Sequence, residues 1–186
     1  KELYKRIVFL RPLGLRLNGT VIYMGTVSKT MAPGLRTGWV VGPESVVYRL
    51  GDVKMQTDYG ASSVSQWIMT ELLSGGDYDI YLDWLRGELK QRRDNALAAL
   101  ERYFGGMARW DVPKGGFYIW LRLNGKVPVD RLFQEALKHG ILFNPGNIYD
   151  YAENRAIRLS YAYAEPEEVD RALEILASLV DKSSYL

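Results

Sequence analysis

Apolar residues occur along this chain in two patterns, short continuous runs and repeats every three or four positions. The runs Val21–Met24 and Trp39–Gly42 are typical of buried strands; Gly25 closes the first and Pro43 ends the second. Between them lies a loop, residues 26–38, that is rich in hydroxyl groups, glycine and proline. Two buried strands flanking such a loop indicate an α/β layer in which the loop carries the chemistry.

Three helical repeats follow this loop. The first begins at Glu44, the second covers residues 61–73 with Ser62 or Ser63 as its cap, and the third runs from Asp77 to about Phe104. The third helix also has a charged side, which we interpret as a solvated face; it consists of Arg86, Lys90, Arg92, Arg93 and Asp94.

After Gly105–Gly106 the pattern becomes strand, helix, strand, strand, helix. The predicted strands are 117–123, 141–143 and 157–160, and the predicted helices are 129–138 and a closing amphipathic helix that Pro166 opens. This order predicts a small α+β domain that the long helix joins to the first part. We place the two domains at residues 1–85 and 86–186.

Composition narrows the possible functions. The chain has 186 residues and a net charge of +2, too small to give the concentrated basic face that nucleic-acid binding needs. It has no cysteine, which excludes disulfides and thiolate metal sites, and we predict no metal. No apolar run approaches the roughly 18 residues of a membrane span, and the stretch after Lys1–Arg6 is too short for a signal peptide. We therefore expect no membrane association and a cytoplasmic location.

The stretch Gly25–Thr30 also resembles a nucleotide-binding phosphate loop, because it follows a strand and ends in Lys-Thr. That loop needs glycine directly before the lysine and again five residues earlier. Here those positions hold Ser28 and Tyr23, which lack the backbone freedom to wrap a triphosphate. This comparison argues against a nucleotide triphosphatase.

The segments Thr26–Lys29 and Arg36–Trp39 together resemble the cofactor-lysine region of fold-type I pyridoxal-phosphate (PLP) enzymes. The resemblance implies that Lys29 is the catalytic residue that forms an imine with pyridoxal 5′-phosphate. It also implies that Thr26, Ser28 and Arg36 hold the cofactor phosphate. The chemistry agrees, because an imine needs a primary amine and arginine can give a phosphate two parallel hydrogen bonds.

The resemblance covers nearly the whole chain. Five further segments fall in family order: Lys54–Gly60, Ser65–Trp67, Pro113–Leu121, Asn144–Gly146 and Ile157–Ala162. They look most like the aminotransferase-like part of MocR-type transcription regulators of the GntR superfamily, in which a winged helix-turn-helix precedes this fold. The implied fold class is α/β, the C-terminal part of a fold-type I aminotransferase. It would comprise the end of the large PLP-binding domain and a small α+β C-terminal domain.

Arg158 is the other candidate site residue. In the resembled family the arginine of the Arg-Leu-Ser segment binds the α-carboxylate of an amino acid, whereas on residue type alone a structural ion pair would be the simpler interpretation. We interpret His139 as a helix cap and Asn144 as a turn residue. Tyr59 falls where the family chain passes near the cofactor and the dimer interface, and we assign it no role.

Three functions remain open at this point. The first is the effector-sensing module of a regulator that binds PLP and an amino acid or related small molecule. The second is a free-standing aminotransferase that transfers an amino group between an amino acid and a 2-oxo acid, and the third is a degenerate dimerisation domain. The resemblance implies a homodimer, with DNA bound only through an N-terminal domain outside this sequence. Because the family's glycine-rich loop, ring-stacking aromatic residue and pyridine-binding aspartate are not in this sequence, we expect this stretch alone to be inactive.

Overall fold

The computed structural model describes residues 21–125, 127–149 and 155–183, so the charged start Lys1–Arg6 lies outside the described residues. The chain divides into two compact units between Trp84 and Leu85. Each unit is described by itself below.

The first unit begins with a β-hairpin. Strands β1 (Tyr23–Thr26) and β2 (Gly38–Val41) pair antiparallel, with Tyr23 opposite Val41 and Thr26 opposite Gly38. A 3₁₀ turn, Pro33–Leu35, lies in the loop between them. The strands occur close to where the apolar runs predicted them, but the expectation that both are buried is wrong: the Met24 side chain is 75% exposed. Among the described residues, Met24 is not part of the small hydrophobic cluster that this unit buries, and it does not pack against it.

Helices follow the hairpin as predicted. Helix α1 spans Glu44–Asp58, α2 spans Ser63–Gly75 and α3 spans Asp77–Phe104. Ser62 caps α2, because its hydroxyl accepts a hydrogen bond from the Ser65 N–H at 3.3 Å. The apolar repeat of α1 stays exposed, and the small core of this unit consists of Val27, Met69, Leu73 and Tyr78.

The second unit is built on a four-stranded antiparallel sheet in the order β3-β4-β6-β5. Its strands are β3 (Ala108–Trp110), β4 (Tyr118–Leu123), β5 (Asn144–Pro145) and β6 (Ala156–Ser160). Helices α4 (Val129–Lys138) and α5 (Pro166–Ser183) belong to this unit. Its core includes Leu100, Leu121, Ile157 and Leu176, all of which are fully buried.

One predicted strand of this unit is misplaced and one was missed. Residues 141–143 form no strand, because the Ile141 N–H bonds back to the Ala136 carbonyl at 3.0 Å and keeps this segment in the turn that ends α4. The strand comes directly afterwards, at Asn144–Pro145. Strand β3 has only three residues, too few to show a period, and its pairing with β4 defines it.

The charged side of α3 is only partly solvated, so that interpretation was wrong for two of its residues. The side chains of Arg92 and Arg93 are only 22% and 19% exposed. Arg92 donates to the Ala164 carbonyl at 2.8 Å, and Arg93 donates to the Pro113 carbonyl at 3.0 Å. Both arginines lie after Trp84, in the part of α3 that belongs to the second unit, and they tie it to loops of that unit instead of projecting into water.

Within the described ranges, no helix is long and apolar enough to cross a membrane. The same residues bring together no group of three or more His, Asp or Glu side chains that could hold a metal ion.

Candidate functional site

Lys29 lies in the loop that joins the two hairpin strands, and its side chain is exposed. The buried Val27 side chain anchors this loop, and the Val27 N–H donates to the Thr37 carbonyl at 3.3 Å across it. The Met31 N–H closes a turn around the lysine by donating to the Val27 carbonyl at 2.9 Å. The backbone on both sides of Lys29 is therefore held while its amine remains accessible.

Two hydroxyl groups lie beside this turn and bond to each other. Thr26 Oγ1 and Ser28 Oγ are 2.9 Å apart, and the Ser28 N–H donates to Thr26 Oγ1 at 3.2 Å. Thr26 Oγ1 gives its own proton to the Thr37 carbonyl at 3.1 Å, so the Ser28 hydroxyl is the donor within the pair. Both hydroxyls are thus placed by the backbone of the hairpin.

Arg36 occupies a strained backbone position in the same loop. Its φ is +49° and its ψ is +34°, in the left-handed region that non-glycine residues rarely adopt. One guanidinium N–H donates to the Pro33 carbonyl at 3.2 Å, and the rest of this exposed group meets no acceptor among the described residues. Strain of this kind concentrates at ligand-binding positions, where the surrounding structure holds it.

Close packing across the hairpin requires two glycines. A Cβ at Gly38 would lie 2.7 Å from the Gly25 carbonyl oxygen, and a Cβ at Gly25 would lie 2.3 Å from the Trp39 indole. Both distances are shorter than real Cβ contacts, so the strand ends that carry Thr26 and Arg36 depend on glycine.

Arg158 belongs to the second unit and lies on β6. Its Nη2 donates to Asn144 Oδ1 at 3.1 Å, and its guanidinium carbon lies over the rings of Tyr118 and Tyr149, 4.0 and 4.5 Å from their centroids. Its Nε is buried, and no described residue supplies an acceptor for it. A buried donor without a partner costs about 1–3 kcal/mol, so a ligand oxygen that approached this edge would remove a penalty.

An open cleft of about 570 Å³ adjoins this arginine. Arg158, Asn144 and Tyr118 contribute to its wall, together with apolar residues of α3, α5 and the loop after α4. None of the described ion pairs involves Arg158, so the structural ion pair that residue type alone would suggest is not found there. A fixed, planar guanidinium that forms no ion pair with any described residue suits a carboxylate, which accepts two parallel hydrogen bonds.

The structure shows where each predicted residue lies. The hydroxyls of Thr26 and Ser28 are in contact, and Lys29 directly follows Ser28. Among the described residues, the Arg36 side chain bonds only to Pro33, within its own turn. His139 ends α4 as predicted, with its N–H bonded to the Ala136 carbonyl at 3.0 Å.

The structure also shows where two weaker candidates, Tyr59 and Asn144, lie. Tyr59 ends α1 with φ +56° and a side chain that is 86% exposed, and it remains without a role. Asn144 is not a simple turn residue, because it lies on β5 directly opposite Arg158 and bonds to it. Sequence reasoning also missed Tyr118 and Tyr149, since an aromatic residue in a strand or turn looks like ordinary core.

Comparisons with known proteins show which family this chain belongs to. The profile of the aminotransferase class I and II family matches residues 4–176. The chain belongs to that family. It is 50% identical over 159 residues to the uncharacterized HTH-type transcriptional regulator YisV of Bacillus subtilis, a match that covers 86% of this chain and 33% of YisV. It is 42% identical over 165 residues to the HTH-type transcriptional regulator NorG of Staphylococcus aureus, covering 88% of this chain and 37% of NorG. The chain thus spans about a third of the length of these relatives.

Solved aminotransferases share the fold. Kynurenine aminotransferase from Pyrococcus horikoshii, solved with PMP, superposes with a TM-score of 0.83 at 29% identity over 89% of this chain and 41% of its own. The α-aminoadipate aminotransferase LysN from Thermus thermophilus, solved with N-(5′-phosphopyridoxyl)-L-leucine, gives 0.80 at 28% identity over 87% of this chain and 42% of its own. The expected α/β fold, part of a fold-type I aminotransferase, is confirmed.

Proposed function

We propose that this chain is the PLP-binding, effector-sensing part of an HTH-type transcription regulator of the MocR type in the GntR superfamily. The observation that carries this proposal is the 42–50% identity to HTH-type regulators across 86–88% of the chain. The lysine, hydroxyl and arginine residues of the candidate site all lie within residues 4–176, which the aminotransferase class I and II profile matches. A domain used only for dimerisation would have no need of this set.

The hairpin residues fit PLP. The cofactor presents an aldehyde and a phosphate, and the loop offers one accessible primary amine, two hydroxyls and a guanidinium on adjacent backbone. Lys29 would hold the cofactor covalently through its amine. Thr26, Ser28 and Arg36 would hold the phosphate, because the Ser28 hydroxyl can turn from Thr26 and Arg36 has N–H groups to donate. Bound PLP supplies an electron-withdrawing ring to an amino acid joined to it.

Arg158 would bind the carboxylate of that amino acid. Its orphaned Nε–H and its fixed orientation support this role, because a carboxylate oxygen would accept the bond that no described residue accepts. The ligand class is thus a small molecule with both an amine and a carboxylate.

The regulator proposal carries further expectations. The relatives are about two and a half times as long as this chain and their names specify a helix-turn-helix, so DNA contact would come from an N-terminal domain of the longer protein. The working form would be a cytoplasmic homodimer, since transcription regulators act on intracellular DNA and the fold commonly pairs.

A second candidate is a free-standing aminotransferase. The superposition on kynurenine aminotransferase, with a TM-score of 0.83, favours it specifically. Both candidates use the same cofactor residues, and they differ in what the bound amino acid causes.

The experiment measures both outputs on one preparation. Full-length, PLP-loaded protein is mixed with each of the twenty amino acids and with an excess of a second 2-oxo acid, which accepts the amino group and so allows more than one turnover. Affinity for DNA fragments that the protein selects from its own genome is followed beside release of 2-oxo acid. We expect one or a few amino acids to change the affinity for DNA without sustained release of 2-oxo acid. Sustained 2-oxo acid release with no DNA binding would establish the aminotransferase, and PLP-loaded protein that does neither would contradict both.

A further inference from the structure

We propose that Tyr118 and Tyr149 form an aromatic clamp that orients the Arg158 guanidinium toward a ligand carboxylate, which makes Tyr149 a positioning residue. This inference rests on the proposed function, because it takes Arg158 as the carboxylate-binding group. It adds two residues to the site that neither the sequence motifs nor the resemblance assigned.

The clamp is defined by distances. The Arg158 guanidinium carbon lies 4.0 Å from the Tyr118 ring centroid and 4.5 Å from that of Tyr149, both well inside the roughly 6 Å reach of a cation–π contact. Tyr118 lies on β4 next to β6, and Tyr149 directly follows the 3₁₀ turn Gly146–Ile148. Two separate segments of this unit therefore place an aromatic ring against one cation.

Tyr149 also contacts a second aromatic residue. Its ring forms a T-shaped pair with that of Trp120, with centroids 6.0 Å apart and planes at 74°. Trp120 lies on β4 directly opposite Arg158 in the strand register. The same strand pair thus fixes the arginine and the indole that supports the ring over it.

This arrangement leaves the arginine able to bind an anion. A carboxylate partner from the protein would neutralise Arg158 and occupy its donors, whereas aromatic rings stabilise the charge and accept little of its hydrogen-bonding capacity. Within the described part of the chain, only Asn144 takes an N–H from the guanidinium, and Nε remains both buried and unpaired. The two rings cover part of the guanidinium, and its Nε is buried. An entering carboxylate therefore meets a partly desolvated charge and is bound more strongly.

The test follows the Arg158 Nε–H itself, without relying on cofactor chemistry. Full-length protein is labelled with ¹⁵N-arginine, and the Arg158 Nε–H resonance is assigned from its loss in Arg158→Lys. Propionate is the probe because it carries a carboxylate and no amine, and 1-propanol is the uncharged control. We expect propionate, but not propanol, to shift this resonance in the wild type.

Two variants separate the ring from the hydroxyl of Tyr149. Tyr149→Phe keeps the aromatic face and should titrate within about twofold of wild type. Tyr149→Leu removes the aromatic ring, and the midpoint of its titration should lie at about 3- to 30-fold more propionate. This is the range expected for loss of a partly desolvated cation–π contact. Tyr149 is half-exposed, so either variant should fold, and the remaining arginine resonances report whether it does.

Two results would overturn the clamp: a wild-type Nε–H that ignores propionate, or Leu and Phe variants that titrate alike. The PLP absorption band is recorded on every sample. A lost band with an intact propionate response would contradict the PLP-binding part of the proposed function and leave the clamp standing. An intact band and a wild-type propionate response, with Leu and Phe variants that titrate alike, would contradict the clamp alone.

Discussion

Replacing Arg158 by lysine tests whether its planar fork, and not merely its charge, binds the ligand. Lysine keeps the cation but cannot place two parallel donors on a carboxylate. The structure shows one N–H on Asn144 at 3.1 Å and a buried Nε with no described acceptor, so the substitution removes at least one charge-assisted bond to the ligand. Such a bond contributes about 1.5–3 kcal/mol, which corresponds to a roughly 10- to 100-fold weaker amino-acid affinity.

The assay is the change in the visible spectrum of PLP-loaded, full-length protein during titration with the most effective L-amino acid. The spectrum without amino acid should be the same in wild type and variant, because Arg158 is not proposed to touch PLP. Arg109→Lys is the matched control, since Arg109 is an exposed arginine on β3 of the same sheet. If Arg158→Lys responds at wild-type concentrations, the arginine is structural and the carboxylate assignment is refuted.

Three further predictions concern the hairpin and the second unit. Arg36→Ala should raise the PLP dissociation constant by one to two orders of magnitude, about 1.5–3 kcal/mol, in equilibrium titration; an unchanged constant removes Arg36 from the site. Gly38→Ala should lower PLP occupancy because its Cβ would lie 2.7 Å from the Gly25 carbonyl oxygen, whereas Gly34→Ala, with open space around its Cβ, should match wild type. Equal losses in both would contradict the packing argument. Burial raises the pKa of Tyr161 above its usual value of 10.0. The folded state therefore favours the protonated phenol, and its contribution is complete below pH 10 and is lost as pH rises through the raised pKa. Thermal melts above pH 10 should show wild type losing stability more steeply than Tyr161→Phe, and parallel curves would count against this reasoning.

The elements set by local signals were predictable. Helix α3 spans Asp77–Phe104 as predicted, because an acidic residue favours its start and Gly105–Gly106 stops it. The spacing from Thr26 to Arg36 likewise predicted one loop, and the structure places both residues on the same hairpin. In each case the deciding residues are close together along the chain.

Features that depend on distant pairing were not predictable. Asn144 looked like a turn residue before a proline, and only the register of β5 against β6 shows it opposite Arg158. The register of β4 against β6 brings Tyr118 near that arginine, whereas residue type alone suggested core packing. The prediction that the hairpin strands are buried failed for another reason. An apolar run indicates burial, but it does not show which part of the protein covers the strand.

The central claim is that Lys29 holds PLP, and the most direct measurement is the site of covalent attachment. Full-length, PLP-loaded protein is reduced with borohydride and digested, and the peptides are analysed by mass spectrometry. We expect the phosphopyridoxyl mass on the peptide that contains Lys29, and loss of the visible PLP band in Lys29→Ala. Lys54→Ala, which removes an exposed lysine paired with Asp58 in the same unit, should keep both signals. A phosphopyridoxyl group found on another lysine of wild type, or an unchanged band in Lys29→Ala, would contradict the account.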